Sequence, residues 1–132
     1  MIDIEKKVRD YLVTVAPITA LTSTRIYASR DTPPPGYSPD DGAALVFKTR
    51  GGTISSERSA IVNPSLQFKA YGQTEADAMD LYLALVDALE GKHPGAVRVA
   101  LTETLGQPLE EPETQWRYVL SFFKLAALRS GS

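Results

Sequence analysis

The sequence contains no cysteine and only one histidine, His93, and both shortages limit its chemistry. Without cysteine it has no disulfides, no zinc–thiolate site and no thiol nucleophile. One histidine does not supply the usual ligands of a zinc site, and a Ser-His-acid triad is possible only through His93. Because Lys92 and Pro94 flank it, we predict that His93 lies in a solvated turn. These shortages argue against a zinc site and a histidine-based catalytic centre, and our expectation for the chain is no metal, no cofactor and no catalytic residues.

An excess of basic charge is also missing, since 14 Lys and Arg residues face 16 Asp and Glu residues. Tight binding of nucleic acid depends on neutralising phosphates, so we do not expect it here. No apolar run approaches the roughly 20 residues that span a membrane. The N-terminal stretch MIDIEKKVRDYL lacks the apolar core of a signal peptide. These features favour a soluble protein made inside the cell, with no membrane partner.

The strongest structural signal present is a strand followed by a long helix, in residues 65–91. Leu66, Phe68 and Ala70 alternate with more polar residues, which predicts a strand with one buried face. Thr74 is a good helix N-cap, and Gly91 is placed to end the helix. Seven residues recur at helical spacing and predict the buried face of this helix: Met79, Tyr82, Leu83, Val86 and Leu89, widened by Leu81 and Leu85.

The rest of the chain alternates short strand patterns with turns. In order we predict a helix over 3–15, one further helical turn over 18–21, a strand over 25–28, an irregular proline-rich loop over 29–42, and strands over 43–49, 96–105 and 115–125. Strands cluster in neighbouring hairpins, which favours an α+β fold. We expect a single domain over residues 1–129, with an antiparallel or mixed sheet and two main helices packed on one face. Residues 130–132 are interpreted as a short appended tail.

Three features point to contacts with other proteins. The second long helix carries only acidic charges, which form either a solvated face or a docking face for a basic partner. The polar segment 51–60 is either a hairpin connection or an arm that orders on a partner. The last strand is apolar on both faces, so either another subunit or a loop or helix covers the second face. The candidate interface residues are Arg50, Thr53, Glu57, Arg58, Asp80, Asp87, Arg117 and Phe123.

Four segments in this order give the chain a resemblance to a known family. They are VRDYLVTVAPITALTSTRIYA, PPPGYSPDDGAALVFKT, LQFKAYGQTEADAMDLYLALVDALEG and a strand pair ending in WRYVLSFFKL. The pattern resembles the tail-terminator, or tail-completion, proteins of long-tailed phages and gene-transfer particles. The helix that opens TEADA after the strand QFKAY carries most of the resemblance, and none of the segments is a catalytic signature.

The resemblance implies a structural protein of the virion and not an enzyme. Such proteins form a ring, usually of six copies, that caps the head-proximal end of the tail tube after assembly in the host cytoplasm. The implied partners are further copies of the chain, the tail-tube protein and the head-side connector or stopper, with DNA only passing through the ring. Two alternatives stay open. One is a connector or stopper of the same neck, and the other is a small α+β enzyme with a pocket lined by acids such as Asp87 and Glu103.

Overall fold

The computed structural model describes residues 4–54, 61–90, 97–112 and 114–128, which fold around one five-stranded sheet. In chain order the elements are α1 (Ile4–Leu12), α2 (Ala16–Thr22), β1 (Ile26–Ala28), a 3-10 turn (Pro39–Asp41), β2 (Ala44–Ile54), β3 (Ile61–Gly72), α3 (Glu75–Leu89), β4 (Val97–Glu110) and β5 (Arg117–Leu128). Among these ranges, no helix is both long and apolar enough to cross a membrane.

The sheet has the strand order β1-β2-β3-β5-β4 and is mixed. β1 runs parallel to β2, whereas the other three pairs are antiparallel. The predicted α+β class and mixed sheet are therefore confirmed. The helix predicted over 3–15 ends earlier, at Leu12, and the further helical turn predicted over 18–21 is α2, which begins at Ala16 with Pro17 in its first turn.

All three helices pack on one face of the sheet, and the core lies between the helices and this face. Phe68 is at the centre of this core, with its ring stacked on Phe47 at 5.1 Å and edge-on to Phe123 at 5.4 Å between ring centroids. The buried residues contributed by the helices are Val8, Leu12, Ile18, Ala78, Leu81, Tyr82, Leu85, Ala88 and Leu89. Leu66, Phe68 and Ala70 face the same core, as their alternation predicted.

The buried face of α3 lies to one side of the predicted stripe. Ala78, Leu81 and Leu85 are its fully buried centre, at spacings of three and four residues. Leu83, which we predicted to be buried, is 52% exposed. It follows Leu81 by two residues, which places it about 200° around the helix and on the far side from the sheet. An apolar side chain is therefore left on the outer face of an acidic helix.

The N-terminus of α3 depends on Thr74, as predicted. The Thr74 hydroxyl accepts a hydrogen bond from the backbone N–H of Asp77 at 3.2 Å. We expect Thr74→Ala to lower the free energy of unfolding by about 1 kcal/mol, because that N–H loses its partner. Urea denaturation measures the change. Thr74→Ser keeps the acceptor and serves as the control, and equal stability of the alanine variant and the wild type would contradict the capping role.

The first residues of the polar segment 51–60 belong to a strand. β2 continues to Ile54, with Gly52 opposite Pro64 and Thr53 opposite Asn63 after a bulge that follows Thr49. Hydrogen bonds between β2 and β3 satisfy the backbone N–H and C=O groups of residues 52–54, so these residues form a strand despite their polar neighbours in the sequence. Residues 55–60 lie outside the described part of the chain, as do Gly91 and His93.

Candidate interaction surfaces

The proline-rich loop, residues 29–42, folds over part of the sheet face that the helices leave open. Its Tyr37 is only 8% exposed and lies edge-on to Trp116 at 5.5 Å between ring centroids. Tyr71 and Tyr118 continue this aromatic cluster across β3 and β5, 5.3 Å apart. The loop therefore covers the end of the open face near Tyr71, which was one of the two alternatives for the second face of β5. The loop was predicted to be irregular, but its last part makes the single 3-10 turn.

Buried hydroxyls in the aromatic cluster have polar partners. The Tyr71 hydroxyl donates to a carboxylate oxygen of Glu111, and the Tyr37 hydroxyl donates to the carbonyl of Gly42 at 2.7 Å. Burial raises the pKa of Tyr37 to about 12. Burial, assisted by the bond to Glu111, also raises the pKa of Tyr71. Both tyrosines consequently remain protonated donors at neutral pH. A groove of about 340 Å³ separates the prolines of the loop from Trp116 and Glu111.

Asp31 ties the loop to the middle of the open face. One of its carboxylate oxygens accepts a hydrogen bond from the Gln67 amide at 3.0 Å. The same oxygen lies 3.3 Å from the Lys48 ammonium and 3.4 Å from that of Lys69. The Gln67 hydrogen bond, followed by the two lysines, lowers the pKa of Asp31 below its ordinary value of 3.8. A single carboxylate thus links three residues of two strands to the loop.

Replacing Asp31 with asparagine is expected to lower stability at pH 7 by less than about 1 kcal/mol, since the side chain is 58% exposed and its charges are screened. A carboxyl group with a lowered pKa stabilises the fold above its unfolded-state pKa. That stabilisation is lost as the pH falls below 3.8 and through the folded-state pKa. The difference between wild type and Asp31→Asn should therefore shrink from pH 7 to pH 2.5 in urea titrations. A difference that is constant with pH would contradict the ionic link.

Beyond the loop, the open face is basic around one half-buried aromatic residue. Arg50 donates to the Gln67 side-chain oxygen at 2.7 Å, and its guanidinium lies 5.6 Å from the centre of the Phe122 ring. Phe122 is half-buried and Lys124 is exposed, two residues further along β5. We call Lys48, Arg50, Lys69, Phe122 and Lys124 the basic patch. Asp31 forms ion pairs with Lys48 and Lys69, and no ion pair of Arg50 or Lys124 is seen in the described part of the chain.

The opposite side of the molecule carries the outer face of α3. Asp80, Leu83 and Asp87 recur at spacings of three and four residues, and all three are exposed. Neither aspartate forms an ion pair with any residue that the structure describes. No lysine or arginine occurs in α3. We call Asp80, Leu83 and Asp87 the acidic helix face. Both predicted acidic candidates are therefore on one accessible surface.

Phe123 was predicted to contact another subunit, and this prediction is wrong. Its side chain is fully buried in the helix-covered core, against Phe68. The register explains the error: Phe123 pairs with buried Leu66, whereas Phe122 pairs with Gln67 on the open face. The aromatic side chain available to a partner is therefore Phe122.

The other predicted interface residues are separated by the fold. Arg50 lies in the basic patch, and Arg117 lies at the start of β5, with its guanidinium 3.9 Å from Glu110. Thr53 lies in the β2–β3 hairpin, and its side chain, like Glu57 and Arg58, is outside the described part. The interface roles of these residues remain predictions.

Sequence reasoning missed Phe122, Lys124 and Leu83, which the structure places on the two surfaces. The sequence did contain a signal for Phe122, because Tyr118, Leu120 and Phe122 recur at every second position and therefore share one face of the last strand. In the described ranges, no three His, Cys, Asp or Glu residues are grouped so as to hold a metal ion.

Comparison with known proteins adds a structural likeness. No family model and no curated protein matches the sequence. A chain in a solved structure described as the virion of a native gene transfer agent particle has a similar fold, with a TM-score of 0.71. The two chains are 17% identical, and the match covers 95% of this chain and 94% of the other. At this identity the likeness shows that the two chains share a fold over nearly their whole lengths.

Proposed function

We propose that this chain is a structural protein of a phage-type or gene-transfer particle, where copies of it form a ring that caps the tail tube. The observation that carries the proposal is the fold shared, over 95% of this chain, with a component of a gene transfer agent virion. The match extends through both helical and strand regions, so the likeness is not confined to one common motif. In this proposal the chain acts by shape and assembly and not by catalysis.

The surfaces of the molecule support an assembly role. The basic patch and the acidic helix face are both accessible, and each combines charge with an apolar side chain, Phe122 or Leu83. Protein interfaces are enriched in aromatic residues and arginine at their centre and are polar at their rim, and complementary potentials steer the encounter. In the proposed particle, the ring has six copies, stops tube polymerisation and meets the head-side connector, and DNA passes through its lumen.

Assembly of tail tubes in vitro tests this role. Purified tube protein of the same particle is polymerised alone and with increasing amounts of this chain, and tube lengths are measured by negative-stain electron microscopy. We expect shorter tubes that carry an extra ring at one end. The control is a heat-denatured sample of this chain, which should leave the tube length unchanged.

Location in the particle separates the proposed role from that of a connector or stopper. Gold-labelled antibody against this chain should mark the junction between tube and neck, and also the ends of tubes that lack heads. Labelling of tailless heads alone would support a stopper and contradict the terminator role. Tubes of unchanged length, with the chain absent from their ends, would also contradict capping.

A further inference from the structure

The two charged surfaces lie on opposite sides of the molecule. The acidic helix face belongs to α3, whose other side packs on β3 and β5. The basic patch lies on the far face of the same sheet, since Gln67 and Phe122 alternate with residues that face the core. A contact that joins one surface to the other therefore cannot be made within one molecule.

Charge determines which surfaces can pair. Two basic patches brought together would place Arg50 and Lys124 of one copy against the same cations of the other. Two acidic helix faces would likewise oppose Asp80 and Asp87 to their own copies. Like charges across an interface repel by several kcal/mol, whereas the acidic helix face against the basic patch places opposite charges together. Only this unlike pairing is electrostatically favourable.

Each surface also has an apolar centre that such a pairing would cover. Leu83 lies between Asp80 and Asp87 on the helix and is 52% exposed. Phe122 lies beside Arg50 and two residues from Lys124 on the sheet. Burying one leucine and one aromatic ring removes apolar area from water, and the surrounding charges fix the orientation.

We propose that the acidic helix face of one copy docks on the basic patch of the next copy, and that this contact builds the ring. Because the two surfaces differ and lie on opposite sides, the contact is heterologous and closes into a ring when its rotation allows. The inference rests on the proposed function, which it deepens by naming the surfaces that join neighbouring copies.

Two charge-reversed variants test the pairing. The helix variant carries Asp80→Lys and Asp87→Lys, and the sheet variant carries Arg50→Glu and Lys124→Glu. Each alone should raise the concentration needed for half-assembly at least about tenfold, because one side of every contact is repulsive. Light scattering after gel filtration measures the assembled mass, and circular dichroism checks that both variants remain folded.

Mixing the variants gives a sharper result. In an equimolar mixture, the basic helix of one variant meets the acidic sheet of the other, and the two unmodified surfaces also match. Alternating rings with an even number of copies should therefore form again. A single chain with all four substitutions should assemble by itself for the same reason. Failure of both rescues would overturn the pairing, as would wild-type assembly by either variant alone.

The outcomes also separate this inference from the proposed function. If wild type assembles and caps tubes while the reversed variants do so equally well, the pairing is wrong and the function stands. If the helix variant forms rings but does not join tubes, the acidic helix face binds the tube protein, and the pairing is again wrong. If the wild-type chain stays monomeric at high concentration in solution and also when tubes are present, both the pairing and the proposed function are wrong.

Discussion

Replacing Phe123 with alanine is expected to lower the free energy of unfolding by about 3–5 kcal/mol. Its side chain is fully buried and lies edge-on to Phe68, at the centre of the core between the helices and the sheet. Removing the ring leaves a cavity that the strands cannot close, because Phe123 is held in register opposite Leu66. For a domain whose total stability is about 5–15 kcal/mol, a loss of this size is severe.

The adjacent Phe122 gives a matched control for that prediction. It is the same residue type on the same strand, but its ring faces the open side of the sheet, beside Arg50. Phe122→Ala should cost about 1 kcal/mol or less in urea denaturation, because the ring is only half-buried. Its larger effect is expected on assembly. Equal losses of stability in the two variants, or a larger loss at Phe122, would contradict the assignment of the two faces.

Local signals were enough to predict the central strand and helix. The alternation of Leu66, Phe68 and Ala70 sets the buried face of β3, and Thr74 marks the start of α3. Both signals depend on residues close in sequence, where geometry fixes which side chains share a face. The buried face predicted for α3 was shifted around the helix, because the prediction included Leu83, which is apolar but exposed. The apolar character of a residue does not by itself show whether it is buried.

The interaction surfaces depend on contacts that the sequence does not encode locally. Phe122 and Phe123 are adjacent aromatic residues, so only the pairing of β5 with β3 decides which one is accessible. Asp31 reaches Gln67 across 36 residues, and no spacing rule links a loop aspartate to a strand glutamine at that distance. The acidic character of α3 could be predicted, because its sequence contains aspartate and glutamate but no lysine or arginine.

Gly72→Ala is expected to destabilise the fold by about 3 kcal/mol, the upper end of the usual cost of overpacking. Gly72 ends β3, directly before the turn that leads into α3. A Cβ atom at this position would lie 2.4 Å from the backbone nitrogen of Ala78 and 2.8 Å from the backbone carbonyl carbon of Asp77. These are main-chain atoms of the helix, so no side-chain rotation relieves the collision, and the strand and helix must separate.

Gly36→Ala provides the comparison, because it isolates the cost of backbone conformation from that of a collision. Gly36 has a φ of +92° in the proline-rich loop, but a Cβ there would meet no atom within 4 Å. We expect a cost of about 1–2 kcal/mol from the left-handed backbone alone. Urea denaturation of both variants should therefore rank Gly72→Ala clearly below Gly36→Ala in stability. The reverse order would mean that the turn before α3 has room for a side chain, and that α3 is not held by close contact of its first turn with β3.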